Sequence, residues 1–562
     1  MNAILLAAIG LGAMAAGYLF YSRFIATRIY RLDPDYRTPS HVQQDGVDFV
    51  PTNPYVLWGH HFTSVAGAAP IIGPAIAVIW GWVPAFLWVV LGTVFFAGVH
   101  DFGAIWASVR HRGQSIGAIT GELVGKRARM LFMVVIFLVL LMVNAVFAVA
   151  IGNSFVNTPS SVVPAWSAIL VALVIGQLIY RRGANLMWTS LGGLAALYVF
   201  LYLGPFIPIS LPETAFGLET KAQWIVIMFV YAAIASMLPV WVLLQPRDYI
   251  NGLQLFVGLG ILYLALIVAA PDVVAPAFNP DLPAGTPPIF PLLFVTIACG
   301  AISGFHSLVG SGTTSKQIDK ETDERLVGYG GSVGEGMLAL AAIVATTAGF
   351  ASLEDWQGVY QNFGAGGITA FVQGGSAIVS NGLGFSQEFS ATLLAVMAIL
   401  FAGTTMDTGV RLQRYIIQEW GNIYNIKPLT NGYVATLVAV GTCLALAFGA
   451  GGASGAGGML IWPLFGTTNQ LLAGLTLLVV SLILVKLKRT PWFTLVPMVF
   501  LLVMTILALL YQLWGFVQQA NWFLAGLDVL ILVAAVLVAL EAGSALMKER
   551  ANLAELAAGG DD

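Results

Sequence analysis

Charge is scarce in this sequence. Of 562 residues, only 9% are Asp, Glu, Lys or Arg, against roughly 25% in an ordinary soluble domain. So few charges cannot solvate a water-facing surface, and they leave no basic patch for a nucleic acid. Cysteine is scarcer still. Cys299 and Cys443 both sit in apolar runs, which leaves neither a disulfide framework nor a metal-binding Cys spacing and makes the redox compartment unreadable. No nucleotide-binding loop is present either: the stretch 449–458, GAGGASGAGG, lacks the GK[ST] ending. What the chain has instead is 58% hydrophobic residues and 62 glycines. That glycine content lies above the roughly 7% background and suits close-packed transmembrane helices. The expected class is an all-α polytopic integral membrane protein.

Windows of about 20 apolar residues predict about fifteen spans. Their limits are 2–22, 58–80, 84–107, 130–152, 165–180, 186–207, 223–244, 251–270, 291–312, 327–350, 388–406, 432–450, 459–484, 491–511 and 522–546. The glycine-rich segment 364–380 is read as potentially re-entrant. Arg23 and Arg28 follow the first apolar stretch and nothing positive precedes it, the reverse of a cleavable signal peptide. With the N-terminus outside, all of the 24 Lys and Arg except Lys221 fall in loops on one side. The positive-inside rule makes that side cytoplasmic and places the C-terminus there too. Within a single transporter domain, 1–57 holds the first helix and a cytoplasmic loop. The core follows in two parts, 58–207 and 208–430, and 431–562 holds the C-terminal helices.

Two spans are too interrupted for continuous helices. The second, WGHHFTSVAGAAPIIGPAIAVIWGW, contains Gly59, Gly67, Pro70, Gly73 and Pro74; the ninth, LFVTIACGAISGFHSLVGSGTTSKQ, contains Gly300, Gly304, Gly310 and Gly312. Glycine and proline in a helix interior cost about 1 and 3 kcal/mol, and irregular backbone persists at membrane depth where it lines a cavity. Ser64-Val65-Ala66-Gly67 matches Ser307-Leu308-Val309-Gly310, and the two spans run in opposite directions in the charge-derived topology. Paired, inverted, interrupted spans point to the central site of a secondary transporter. A half-helix N-terminus there would face an anionic substrate group. Thr63, Ser64, Ser307, Ser311, Thr313 and Thr314 would supply hydroxyls.

The motifs LDPDYRTPS, DGVDFVPT, WGHHFTSVAGAAPIIGPAIA and HDFGAIWASVRHRGQSIG, between Arg31 and Gly117, closely resemble the carbon starvation protein A family. SGFHSLVGSGTTSKQI, MDTGVRLQRYIIQEW and WPLFGTTNQLLA extend the likeness over nearly the whole chain. The resemblance implies a bacterial or archaeal inner-membrane importer of peptides, pyruvate or related small nutrients. It also implies kinship with the amino acid–polyamine–cation superfamily, whose LeuT-like core has two inverted five-helix repeats with discontinuous first and sixth helices. Here the second broken span lies seven places after the first instead of five, so helices are inserted, a region such as 165–207 is over-split, or the ninth span is not the repeat mate. The chain also begins at a single helix before the LDPDYRTPS loop, fewer than longer members have. A small soluble accessory protein is a further partner the likeness suggests.

Ionisable groups inside spans are costly and functional by default. His61 and His306 are expected to relay protons, with Glu335, flanked by Gly334 and Gly336, as a third carrier. Substrate contact is expected from His61, Thr63, Ser64, Gly67, Phe305, His306, Ser307, Gly310 and Ser311. Thr467, Thr468 and Asn469 in FGTTNQLL either hold Na⁺ or form a polar seam between helices. His100 and Asp101 are gate candidates, with Asp101 paired to a nearby arginine or forming a plain structural pair. Asp407 is expected to bridge to Arg411 one turn on, and Asp528 has no evident partner. The expected activity is alternating-access import of pyruvate, a related monocarboxylate or a short peptide, without a cofactor or metal. H⁺ coupling is favoured and Na⁺ coupling of an amino acid or peptide stays open. A haem-binding electron carrier would need histidines at facing positions on two spans. Here His41 and His111 fall in loops and His60-His61 are adjacent.

Overall fold

A computed structural model describes residues 1–46, 48–239, 242–449, 452 and 460–558. Most of the 449–458 run therefore lies outside the described residues. Helix α1 (Ala3–Ile29) is followed by a long loop and then by α2 (Pro54–Val65) and α3 (Ala69–Trp80). Next come α4 (Trp82–Arg110), α5 (Lys126–Asn157), α6 (Pro159–Ile179), α7 (Leu186–Phe206), α8 (Thr220–Met237) and α9 (Pro246–Ala269). The short pieces α10 (Ile289–Thr296) and α11 (Phe305–Gly312) lead into α12 (Glu321–Ala348) and α13 (Gly367–Leu383). The chain closes with α14 (Gln387–Ile423), α15 (Gly432–Gly449), α16 (Trp462–Lys486), α17 (Trp492–Gln518) and α18 (Trp522–Glu549).

Helix ends follow the local chemistry. Asn2, Asn53 and Ser386 accept backbone N–H bonds as N-caps, and Gly183 and Gly384 end helices in the left-handed region at φ +65° and +71°. Thirteen described helices are long and apolar enough to cross a membrane, and α2–α3, bent by 54°, makes a fourteenth where the pair is one span. The expected fifteen exceeds this because 291–312 is no continuous helix. It is α10, one turn at Ala298–Ala301, a gap, and α11.

Loop bonds fix the two ends of the bundle. At one end Ala3 N–H donates to Pro271 O (2.9 Å), Val274 N–H to Thr347 O (2.9 Å) and Trp82 N–H to Pro276 O (3.1 Å). At the other, the loop after α1 straps residues 317–321. Thr52 N–H donates to Gln317 O (3.1 Å), Ser40 Oγ to Ile318 O (2.7 Å), and Arg110 grips Glu321 with both a 2.5 Å and a 2.8 Å bond. The first helix is also held near this end, where Arg325 donates to Ser22 Oγ at 3.3 Å.

The two broken segments lie antiparallel. Trp80 Nε1 donates to Pro287 O at one end, Gly73 packs on Thr296 O in the middle, and His61 meets Thr314 at the other. Their four-residue likeness does not mark equivalent places, because the first break (66–68) follows Ser64 whereas the second (302–304) precedes Ser307. Helix α13 covers most of the 364–380 segment and does not cross the bundle. Its start packs on Ala75 and bonds Asn157, and its end packs on Ala265, all near the Ala3 end. Close packing there needs glycine, since a Cβ on Gly349 would fall 2.1 Å from Gly374 O.

A Cβ on Gly304 would lie 2.4 Å from Asn469 O and 2.5 Å from Ala473 N. Gly304→Ala is therefore expected to destabilise the protein by about 1–3 kcal/mol through overpacking. A melting temperature in detergent equal to that of the wild type would contradict this contact.

Candidate functional site

The second break is built from two sides. A chain that leaves helical geometry inside a membrane must find protein partners for its freed polar groups. Asn469 of α16 supplies them. Its Oδ1 accepts Phe305 N–H (2.9 Å), its backbone carbonyl accepts Gly304 N–H (3.2 Å), and its Nδ2 donates to Ser303 Oγ (3.2 Å) and Cys299 Sγ (3.1 Å). At the start of α11 the N–H groups of Gly304 and Phe305 are thus engaged by Asn469. Ser307 Oγ donates to Gly304 O and accepts from Thr476, while Ser311 Oγ accepts Ile116 N–H at 3.0 Å. These serines tie α11 into its neighbours. Gly310 lets α11 approach Ile105 of α4.

At the start of α11 a chain of acids and imidazoles crosses three elements. Asp101 Oδ2 of α4 accepts from His306 Nδ1 (2.7 Å) and from Ser332 Oγ of α12 (2.5 Å), and Asp101 Oδ1 accepts from His100 Nδ1 (2.6 Å). The far nitrogen of His306, Nε2, stands 3.1 Å from Glu335 Oε2 of α12. Each of these side chains is at most 2% exposed. The carboxylate on Nδ1 fixes the proton there. At that distance an imidazolium and a carboxylate attract as an ion pair, although Nε2 completes no hydrogen bond among the described residues. His100 Nε2 has no bonded partner among the described residues.

His61 is close to this chain but separate from it. Its Nδ1 pairs with Thr314 Oγ1 at 2.9 Å, and its buried Nε2 is unpartnered among the described residues, beside Gly331. At the first break, Thr63 Oγ1 and Ser64 Oγ bond back to Gly59 O and His60 O one turn earlier (both 2.8 Å), and Gly67 faces Thr405 and Phe147. Phe305 is 4% exposed. The structure thus brings His100, Asp101, His306 and Glu335 into one connected group, with His61 near it.

Several expectations are corrected. Asp101 has no arginine partner among the described residues; its charge is met by two histidines and a serine, and Arg110 pairs with Glu321 instead. Asp407 does not bridge to Arg411. It takes the buried Arg247 and the Tyr231 hydroxyl (2.7 Å), while Arg411 donates to Leu238 O at 2.6 Å. Arg411 faces the unravelled C-terminus of α8, whose carbonyls lack helical partners. Thr467 and Thr468 donate to Leu464 O of their own helix (2.8 and 2.7 Å), and Asn469 reaches across to the second break. Asp528 is fully buried with no bonded partner among the described residues.

Arg247, 3% exposed, was missed because it lies just before the apolar window of its span. The neighbouring Asp248, 3.1 Å from Nη2, was the available signal that a charge enters the bundle there. Removing one partner of a buried pair costs about 3–5 kcal/mol, whereas replacing both by apolar groups is often neutral. Arg247→Met is expected to lower stability strongly and Arg247→Met with Asp407→Leu to recover part of the loss, as read by melting in detergent. Additive losses would show that the pair is not coupled.

The sequence profile of the family described as carbon starvation protein CstA matches residues 2–508. A Campylobacter jejuni protein named peptide transporter CstA is 34% identical over 549 residues, covering 87% of this chain and 77% of its own length. The Escherichia coli K12 pyruvate/proton symporter BtsT is 31% identical over 588 residues, covering 90% and 81%. Among solved structures, a mutant of the Eremococcus coleocola manganese transporter aligns with a TM-score of 0.51 at 12% identity, over 88% of this chain and 95% of that one. That likeness is one of fold.

Proposed function

The chain belongs to the carbon starvation protein CstA family and is a multi-span membrane transporter, and we propose that it imports short peptides or pyruvate by proton symport through the Asp101–His306–Glu335 chain. The position of His306 carries this reading. It sits on the short helix that follows a break, between a carboxylate of α4 and one of α12. Protonating Glu335 removes the negative charge facing His306 Nε2 and weakens the tie between α11 and α12. Losing that proton restores it. The coupled proton thereby changes how firmly the mobile half of a broken span is held, which is what alternating access requires.

The same reading takes the antiparallel segments 54–80 and 289–312 as the discontinuous helices of a LeuT-like inverted-repeat core. The substrate would sit between the two breaks, near Thr63, Ser64, Gly67 and Phe305. The end carrying Ala3 faces outward, because nearly all Lys and Arg gather at the other end, and the C-terminus is cytoplasmic. Sodium is the second coupling ion to weigh. The Thr467 and Thr468 hydroxyls donate to helix carbonyls and keep their oxygen lone pairs, so what favours the proton is the buried Asp101–His306–Glu335 chain.

In proteoliposomes, an inward proton gradient is expected to drive accumulation of labelled pyruvate or trialanine, faster as external pH falls below internal pH. Glu335→Gln should abolish gradient-driven accumulation while leaving substrate exchange at equal pH intact. Uptake indifferent to both H⁺ and Na⁺ gradients would sink the symport reading.

A further inference from the structure

Outside the proton chain, open space lies at the Ala3 end, between α5, α13 and the start of α14. One cavity of about 310 Å³ runs from Ile72 of α3 along Asn153 and Asn157 of α5 to the start of α13. A second, of about 250 Å³, continues past Gln373 of α13 to Gln387 of α14. The two share Ser154, Asn157, Ile368 and Thr369, so they form one groove that reaches the half-helix of the first break. Its lining contains no Lys, Arg, Asp, Glu or His. Its polarity comes from four carboxamides and several hydroxyls. Two of the carboxamides are engaged, Asn157 with Thr369 Oγ1 (3.2 Å) and Gln387 with Ser376 Oγ (2.7 Å). Those of Asn153 and Gln373 make no side-chain bond to any described residue.

A carboxamide offers a donor and an acceptor side by side, which matches the C=O and N–H of a peptide unit. It does not neutralise a carboxylate. A monocarboxylate such as pyruvate presents charge and no amide, so this lining gives it nothing specific. A short peptide presents amides along its length, and the combined space falls in the range of small-ligand sites. We infer that the groove is an outer binding site for the main chain of short peptides, which they occupy before reaching the breaks and which pyruvate bypasses. This rests on the transport reading above and adds a subsite selective by substrate class.

The test is uptake of labelled trialanine and of labelled pyruvate by the full-length protein in proteoliposomes, together with equilibrium binding of trialanine in detergent. Gln373→Met and Asn153→Leu remove one carboxamide each at similar size, and Gln373→Asn keeps it. Each loss is expected to raise the trialanine KM and dissociation constant by up to about tenfold, the worth of one hydrogen bond. Pyruvate uptake should not change, and Gln373→Asn should recover part of the affinity. An unchanged trialanine KM, or an equal rise for both substrates, overturns the inference. Proton-driven pyruvate uptake with no trialanine binding also overturns it while leaving the symport reading intact. Loss of proton-driven uptake of both substrates by the wild type would instead strike the symport reading itself.

Discussion

An imidazole held between two carboxylates at the centre of an apolar bundle is the constraint on which the other parts depend. Each charge in such a place is expensive unless paired, so the positions of α4, α11 and α12 are set relative to one another by Asp101, His306 and Glu335. Helix α11 is only eight residues long, and its serines and buried face dock it on its neighbours. Its place comes from His306 on one side and from Asn469 on the other, the first meeting side-chain charge and the second meeting freed backbone. The two anchors are not alike. A carboxamide holds its bonds at any physiological pH, whereas an imidazole–carboxylate pair can gain or lose a proton.

Much of this was legible in the residues, for a physical reason. Hydropathy and glycine or proline interruption are local properties, so the long spans and the two breaks follow from composition over short windows. The ionisable groups stood out because a membrane interior makes each one costly. Partner choice was not legible. His306 meets Asp101 from 205 positions away, and an arginine such as Arg110, about two turns on, was a nearer guess by sequence. Asp407 was matched to Arg411 by helix spacing, but the bundle brings Arg247 to it first. The segment 364–380 looked ambiguous because a helix lying across one end of a bundle is as apolar on its buried face as one that crosses it.

Glycine has two separate uses here. At Gly304 it permits a close approach at a break, and at Gly349 and Gly374 it lets α12 and the transverse α13 pack backbone to backbone. Such contacts replace the side-chain interlocking of a soluble core with broad van der Waals contact, which is the main source of helix association where lipid is as apolar as the protein.

The first helix has a mechanical consequence. It is bonded at Ala3 to the turn after α9, and near its other end to Arg325 at the start of α12. At 27 residues it is about 40 Å long, so it acts as a tie rod across the whole thickness of the molecule. A tie rod resists stretching and permits pivoting. Any rearrangement that keeps these bonds must therefore swing the elements around that edge, and sliding them along the bundle axis would have to break the rod loose first.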